Sequence, residues 1–171
     1  MSENIPNKKV NKPEALIFVL ISAFLILLDQ WTKFLAVRYV KPVVHIGLIP
    51  RVLEFRYLEN RGAAFGMLQN RQWVFVIFAF VVVFGCVYAF SRLPAGKFMA
   101  LKLCLAALSA GAAGNLIDRV ARGYVVDFIY FSGIRFPIFN VADICVSVSV
   151  VVLLILVLFG YKEEDQAGEG R

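Results

Sequence analysis

The sequence predicts an α-helical integral membrane protein with four transmembrane helices and a small β-sheet in the first extracytoplasmic loop. Of its 171 residues, 60% are hydrophobic, and the mean hydropathy is +0.76. The apolar residues form long runs, each near the roughly 20 residues that a helix needs to cross a bilayer. The runs are Ala15 to Leu28 with an amphipathic extension from Trp31 to Tyr39, Trp73 to Phe90, Phe98 to Ile117, and Ile144 to Phe159.

The first run follows three lysines, as the apolar part of a secretory signal peptide does. However, Leu28 is followed by Asp-Gln-Trp-Thr-Lys instead of a small-residue cleavage site, so we expect the run to remain as the first helix. The expected organisation is a cytoplasmic tail over residues 1–14, one four-helix membrane domain over 15–160 and a cytoplasmic tail over 161–171. The last tail is polar and contains glycine, a composition typical of disorder.

The first loop, at about residues 40–72, has the pattern of a small sheet. Leu53, Phe55 and Tyr57 alternate with charged residues, which is the period of a half-buried strand. A second β-prone run, Val43 to Ile49, is closed by a proline. We therefore expect two paired strands against the membrane surface.

The distribution of basic residues favours a cytoplasmic location for both termini. The second loop carries Arg92 and Lys97 and no acidic residue, and the lysines before the first run show the same bias. The first loop also contains five basic residues, so this orientation requires that loop to be folded on the membrane. They are Lys41, Arg51, Arg56, Arg61 and Arg71.

Four carboxylates lie at or near the ends of the apolar runs. They are Asp29, Asp118, Asp127 and Asp143. Counting the crossings places all four on the same side of the membrane, together with Asn115 and Asn140. Because ionisable groups at membrane depth are costly, this arrangement indicates one functional polar site at one bilayer surface.

Helix 3 carries small residues at four-residue spacing, including Gly111 and Gly114, and such faces let helices approach closely in lipid. Close packing accounts for the glycines. It does not account for Asn115 and Asp118, which follow on the same helix three residues apart and so share a face. These two residues are therefore candidates for the polar site.

Asn140 and Asp143 repeat this spacing at the start of helix 4. Asn140 has two open roles, as a helix N-cap or in positioning a neighbouring carboxylate or a substrate carbonyl. A cap does not explain Asp143 in our interpretation. An acid in the first turn gains only about 0.3–1 kcal/mol from the helix dipole, whereas desolvation costs several kcal/mol if the carboxylate is unpaired.

Two carboxylates in a partly dry site can share one proton, because like charges at short distance do not both ionise. Asp118 is followed by Arg119, so an ion pair or a hydrogen-bonded structural role is a sufficient explanation for it. Asp127 has no adjacent base and is the better partner for Asp143. The ionised member would deprotonate a water while the protonated member donates to a peptide carbonyl, which predicts amide hydrolysis without a metal or a cofactor.

Other classes of function have less support. The net charge of +6 comes from scattered basic residues, which favours anionic lipid over nucleic acid as the counterpart. His45 is the only histidine, and three cysteines within apolar runs have no metal-ligand spacing. A small transporter that uses its acids as proton relays stays open as the alternative, although broken helices and repeats are not visible.

Four ordered motifs resemble those of the bacterial lipoprotein signal peptidase (signal peptidase II) family. They are Asp29 to Lys33, Asn60 to Gly66, Gly114 to Arg119 with Gly123 to Phe128, and Phe139 to Asp143. The resemblance implies an aspartyl endopeptidase that removes signal peptides from prolipoproteins by cutting before the diacylglyceryl-modified cysteine. It also implies an inner-membrane location, a periplasmic active site and two cytoplasmic termini.

By motif position, the resemblance assigns the catalytic dyad to Asp127 and Asp143. It assigns nine residues to support of the site or binding of substrate: Asp29, Lys33, Asn60, Arg61, Gly62, Asn115, Asp118, Arg119 and Asn140. Arg61 departs from the family pattern, in which a small polar residue is common. The implied partners are diacylglyceryl-modified prolipoproteins, membrane lipid and globomycin-type peptide inhibitors, with no metal and no nucleic acid.

Overall fold

A computed structural model of the chain describes residues 11–62, 71–134 and 136–160. Four of its helices are long and apolar enough to cross a membrane, spanning Lys12–Val43, Gln72–Arg92, Met99–Arg122 and Val141–Phe159. The predicted fold class is therefore confirmed. The expectations for residues 1–10, for the tail over 161–171 and for Ala63 to Gly66 in the first loop concern residues outside the described ranges. Residues 12–14, expected in the first tail, belong to the first helix.

The first span begins earlier than the apolar run, because Pro13 suits the first turn of a helix. It consists of α1 (Lys12–Leu35), a π-helical segment (Ala36–Val40) and a 3-10 turn (Lys41–Val43). Strands β1 (His45–Ile49) and β2 (Leu53–Asn60) follow.

The remaining elements complete the bundle and the sheet. They are α2 (Gln72–Arg92), α3 (Met99–Arg122), β3 (Val125–Phe131) and α4 (Val141–Ile155), which ends in a π-helical segment (Leu156–Gly160).

The sheet has three antiparallel strands in the order β1-β2-β3. Its first two strands confirm the expected pairing in the first loop. The third strand was not predicted, because Val125–Phe131 lies between α3 and α4, outside the first loop in which the sheet was expected. Strand β3 pairs with β2 so that Asp127 lies opposite Leu58. The sheet thus joins the first loop to the segment between α3 and α4.

Helix α3 is the centre of the bundle and packs against α1, α2 and α4. Its glycines permit this packing. A Cβ atom added to Gly111 would lie 2.5 Å from the Ala142 carbonyl oxygen, and one added to Gly114 would lie 2.5 Å from Oδ2 of Asp29. The predicted small-residue face therefore holds α1 and α4 close to α3.

Gly114→Ala should destabilise the protein by about 1–3 kcal/mol, because the added methyl forces Asp29 or the helix backbone to move. The measurement is the melting temperature in detergent. Gly85→Ala is the matched control, since nothing lies within 4 Å of a Cβ atom at that position. Equal melting temperatures for the two variants would contradict the close approach of α1 to α3.

The described apolar core has two clusters. One joins α1, α2 and α3 through Phe18, Phe90 and Leu105, and it includes Cys86 as a small buried residue. The other joins the π-helical segment to the sheet through Val40, Val126 and Phe128. This second cluster fixes the position of β3 relative to the first span.

Candidate active site

The two predicted dyad residues lie on different elements at the same end of the bundle. Asp127 comes from the middle of β3 and is 1% exposed, whereas Asp143 comes from the first turn of α4 and is half-buried. Asn140 links them. Its Nδ2 donates to Oδ1 of Asp127 at 2.7 Å, and its backbone nitrogen donates to Oδ2 of Asp143 at 3.1 Å. One residue thus holds both carboxylates.

Asn140 fills both of the roles left open by the sequence. It is the N-cap of α4, and its Oδ1 accepts a hydrogen bond from the Asp143 backbone nitrogen at 3.0 Å. Asp143 completes a capping box by accepting from the Asn140 backbone. The interpretation that capping does not explain Asp143 is therefore wrong, because its short side chain reaches back to the N-cap amide.

Two further amides complete the hydrogen bonding of the dyad. Nδ2 of Asn60, on β2, donates to Oδ2 of Asp127 at 2.9 Å, and Nδ2 of Asn115, on α3, donates to Oδ1 of Asp143 at 2.8 Å. The Gly62 backbone nitrogen donates to Oδ1 of Asn60 at 3.0 Å and so orients that amide. Each carboxylate oxygen of the dyad therefore has one donor.

The environment of Asp127 favours its protonated form. Burial raises the pKa of Asp127 to about 7, and the neighbouring charge of Asp143 adds to this effect. The hydrogen bonds from Asn60 and Asn140 oppose the pKa increase without cancelling it. A carboxyl group with this pKa can hold or release a proton near neutral pH, as general acid-base chemistry requires.

A buried lysine lies behind the dyad. Nζ of Lys33, with its side chain fully buried, is 2.8 Å from Oδ2 of Asp29 and 3.2 Å from Oδ2 of Asp118. It also donates to Oδ1 of Asn115 at 2.9 Å. Since Asn115 donates in turn to Asp143, Lys33 is one residue removed from the dyad.

Asp29 and Asp118 connect this lysine to the elements that carry the dyad. Oδ1 of Asp29 accepts from the Ala142 nitrogen at 2.9 Å, one of the amides that lack a partner within the first turn of α4. Oδ2 of Asp118 accepts from the Val126 nitrogen, next to Asp127, at 3.0 Å. Both aspartates are 1% exposed, so they act on the site by holding α4 and β3 in place.

The expected ion pair between Asp118 and Arg119 is wrong. Asp118 pairs with Lys33 and, at 3.2 Å, with Arg122 four residues later. Side chains at adjacent helical positions point in different directions, whereas those four apart are neighbours. Arg119 instead donates to the Asn115 carbonyl oxygen at 3.3 Å and lies 4.8 Å from the centre of the Phe75 ring.

Arg61 lies at the edge of the site. Its guanidinium donates to Glu59 at 3.3 Å and lies 5.3 Å from the centre of the Tyr124 ring, and its side chain is exposed. Within the described residues, these contacts do not bring Arg61 to either dyad carboxylate.

Two glutamines were missed by the sequence interpretation. Nε2 of Gln30 donates to Oδ2 of Asp29 and to the Gly114 carbonyl oxygen, each at 3.1 Å. Gln72 begins α2, and both polar atoms of its amide are buried without a hydrogen-bond partner in the described chain, as is Nε of Arg119. Gln72 shares a helix face with Phe75, which contacts Arg119. The sequence feature that could have identified Gln72 is its position, as a polar residue directly before an apolar run.

Metal ligation has no candidate residues in the described part of the chain, where no three His, Cys, Asp or Glu side chains form a suitable group.

Comparisons with known proteins agree on one family. The family model described as signal peptidase (SPase) II matches residues 21–159. A lipoprotein signal peptidase of Brevibacillus brevis is 44% identical over 146 residues, covering 85% of this chain and 97% of that protein. A lipoprotein signal peptidase of Caldanaerobacter subterraneus is 44% identical over 142 residues, covering 82% and 95%. A solved structure of a bacterial membrane enzyme has a TM-score of 0.78 at 32% identity, covering 91% of this chain and 92% of that one.

Proposed function

Because the chain belongs to the signal peptidase II family, we propose that it is an aspartyl endopeptidase that removes signal peptides from prolipoproteins. Cleavage occurs just before the diacylglyceryl-modified cysteine. The membrane peptidase domain covers residues 15–160, and the tails on either side are cytoplasmic. Family membership also argues against the transporter alternative.

The observation that carries the proposed mechanism is the link between Asp127 and Asp143 through Asn140. Asn60 and Asn115 hold the outer oxygens of the two carboxylates, so both side chains keep their orientation before substrate binds. Such preorganisation lowers the cost of reaching the transition state. We assign the catalytic role to the two aspartates and positioning roles to the three asparagines.

Hydrolysis proceeds without a covalent intermediate. The ionised carboxylate removes a proton from water as the water oxygen attacks the scissile carbonyl carbon, and the protonated carboxyl group donates to the carbonyl oxygen. The tetrahedral intermediate then collapses: one of its hydroxyls returns a proton to the ionised carboxylate as the carbonyl re-forms, the C–N bond breaks, and the leaving nitrogen takes up the proton of the other carboxyl group. The pair ends with the single proton with which it began.

The position of the dyad suits a lipid-modified substrate. Asp127 and Asp143 lie at the ends of the spans, where acyl chains can stay in the bilayer while the peptide bond reaches water. The other end of the bundle has exposed Arg92 and Lys97, which favours a cytoplasmic location for that end. We therefore place the protein in the bacterial inner membrane with a periplasmic site. Globomycin-type peptides would inhibit by occupying this site.

The purified protein should cleave a diacylglyceryl-modified precursor far faster than the same precursor without lipid. The acyl chains hold the scissile bond at the depth of the dyad, and the unmodified peptide lacks this restraint. The measurement is the initial rate of product formation in lipid nanodiscs for both precursors. Equal rates would remove the lipid from recognition, and no cleavage of either precursor would contradict the proposed function.

The cleavage rate should fall as the pH rises through about 7, because Asp127 then loses its proton and both dyad carboxylates are ionised. The same group affects stability. Its pKa is higher in the folded than in the unfolded protein, so its stabilising contribution is complete below about pH 4 and is lost as the pH rises through about 7. Initial rates and melting temperatures between about pH 5 and pH 9 test both statements. A rate that stays constant across this range would contradict the shared proton.

A further inference from the structure

An apolar groove with a volume of about 300 Å³ lies between the end of the first span and the sheet. Leu35 and Tyr39 form one side, Ile46 and Leu48 of β1 form the other, and Phe55 and Phe128 lie between them. This volume is at the lower end of the roughly 300–1,000 Å³ that small-molecule sites enclose. The groove is therefore large enough for part of a lipid chain.

The groove is separate from the candidate active site. Successive side chains of a strand point to opposite faces of the sheet, so Phe128 and Asp127 lie on opposite faces of β3. Phe128 packs with Ala36 and Val40 of the π-helical segment, whereas Asp127 bonds to Asn60 and Asn140. A molecule in the groove would be on the face of the sheet that does not carry the dyad.

The lining favours an apolar occupant. Thr32 of α1 contributes a hydroxyl group to the lining, and this hydroxyl already donates to the carbonyl oxygens of Leu28 and Asp29, each at 2.9 Å. Ala36 contributes only a methyl group at the point where the helix widens into a π-helical turn. Such turns are frequent at functional sites. The wall thus offers carbon surface to a ligand.

The groove continues the lipid-facing surface of the first span. Trp31, Leu35 and Tyr39 are spaced four residues apart, so they form one stripe along the helix. Trp31 is 59% exposed and Tyr39 is 62% exposed, and in a spanning helix this surface contacts acyl chains. The stripe connects the lipid-facing surface of the span to the groove, so an acyl chain can reach the groove from the bilayer.

A positive charge lies beside the groove. Arg38 follows the lining residue Leu35 by three positions and so lies on the same helix face. It is exposed and has no ion-pair partner among the residues with a described position, whereas nearby Lys41 pairs with Glu59 at 3.0 Å. Basic residues next to the end of a span attract anionic headgroups. We propose that the groove binds one acyl chain of an anionic membrane phospholipid, whose phosphate is held by Arg38.

The test is native mass spectrometry of the purified full chain in detergent with added phosphatidylglycerol. Leu48→Trp should lower the affinity for phosphatidylglycerol about 16-fold, because the indole displaces about two methylenes and each buried methylene contributes about fourfold to affinity. Leu27→Trp is the control, since Leu27 is on the outer face of α1 and 69% exposed. Arg38→Gln should remove the preference for phosphatidylglycerol over phosphatidylcholine.

Leu48 is 46% exposed, so the larger side chain should not prevent folding. Ile46→Trp, at another exposed position of the lining, provides a second filling variant if Leu48→Trp fails to purify. Equal lipid retention by the filling and control variants would overturn the proposal. It is also overturned if Leu48→Trp slows cleavage of the modified precursor without changing phospholipid retention, because the groove would then hold substrate lipid. If the unmodified protein is a dimer in detergent and Leu48→Trp makes it a monomer, the groove belongs to an interface with a second copy and the proposal is overturned.

Discussion

Asp127→Asn and Asp143→Asn should each lower the cleavage rate by at least about 10³-fold, near the loss expected when a general acid or base is removed. An amide keeps the size of the side chain but cannot share the proton of the dyad. Each variant also replaces one of two acceptor oxygens with an NH2 group. At position 127 this group faces the donor of Asn60 or Asn140, and at position 143 it faces the donor of Asn115 or the backbone nitrogen of Asn140. A modest decrease in melting temperature should accompany the loss of activity.

The double variant should be little slower than either single variant, since residues that act as a unit have non-additive effects. Glu54→Gln is the matched control on the sheet, because it makes the same chemical change at a carboxylate whose partner is Arg56. Asp118→Asn should retain partial activity and lose stability. If Asp118→Asn is inactive and stably folded while Asp127→Asn retains substantial activity, Asp127 is the wrong partner for Asp143.

Lys33→Met should destabilise the protein by about 3–5 kcal/mol, the usual cost of removing one partner from a buried ion pair. The carboxylates of Asp29 and Asp118 would stay buried without their shared cation. Asn115 would also lose one of the two donors to its Oδ1 and keep only the bond from Nδ2 of Asn140 at 3.1 Å, so the amide that orients Asp143 is held less firmly. We therefore expect lower melting temperature and lower kcat together.

Lys102→Met separates these two effects. Lys102 is also buried, pairs with Glu14 at 2.7 Å and donates to the Pro94 carbonyl oxygen at 2.7 Å, but it is at the other end of the bundle. Both lysine variants should have lower melting temperatures than the unmodified protein. Only Lys33→Met should lower kcat at a temperature where both variants are folded. An equal loss of kcat in both variants would mean that Lys33 supports the fold without positioning the dyad.

The membrane spans were predictable because bilayer thickness imposes a length on any helix that crosses it. The run from Trp73 to Phe90 lies within the observed α2. The run from Phe98 to Ile117 begins one residue before α3 and ends within it. The alternation around Leu53 likewise predicted β2, because a half-buried strand needs an apolar residue at every second position. Local periodicity was sufficient for these elements.

The candidate residues of the site were also predictable as a set. Asp127, Asp143, Asn115 and Asn140 are polar residues at the ends of apolar runs, where their cost in a membrane marks them for function. Counting the crossings correctly brought them to one end of the bundle. Their assignment as dyad and support remains a prediction, supported here by the shared hydrogen bonds of Asn140.

The sequence by itself thus determined the spans, the strands of the first loop and the identity of the polar residues, because each depends on neighbours within one or two turns of chain. Only the tertiary structure decided their partners. Lys33 meets Asn115 across 82 positions, and Asp29 meets the Ala142 amide across 113. The third strand, the pairing of Asp118 with Lys33 and the two roles of Asn140 arise in the same way. A buried polar atom must find a partner wherever the packed helices place one, and that requirement is not encoded in local spacing.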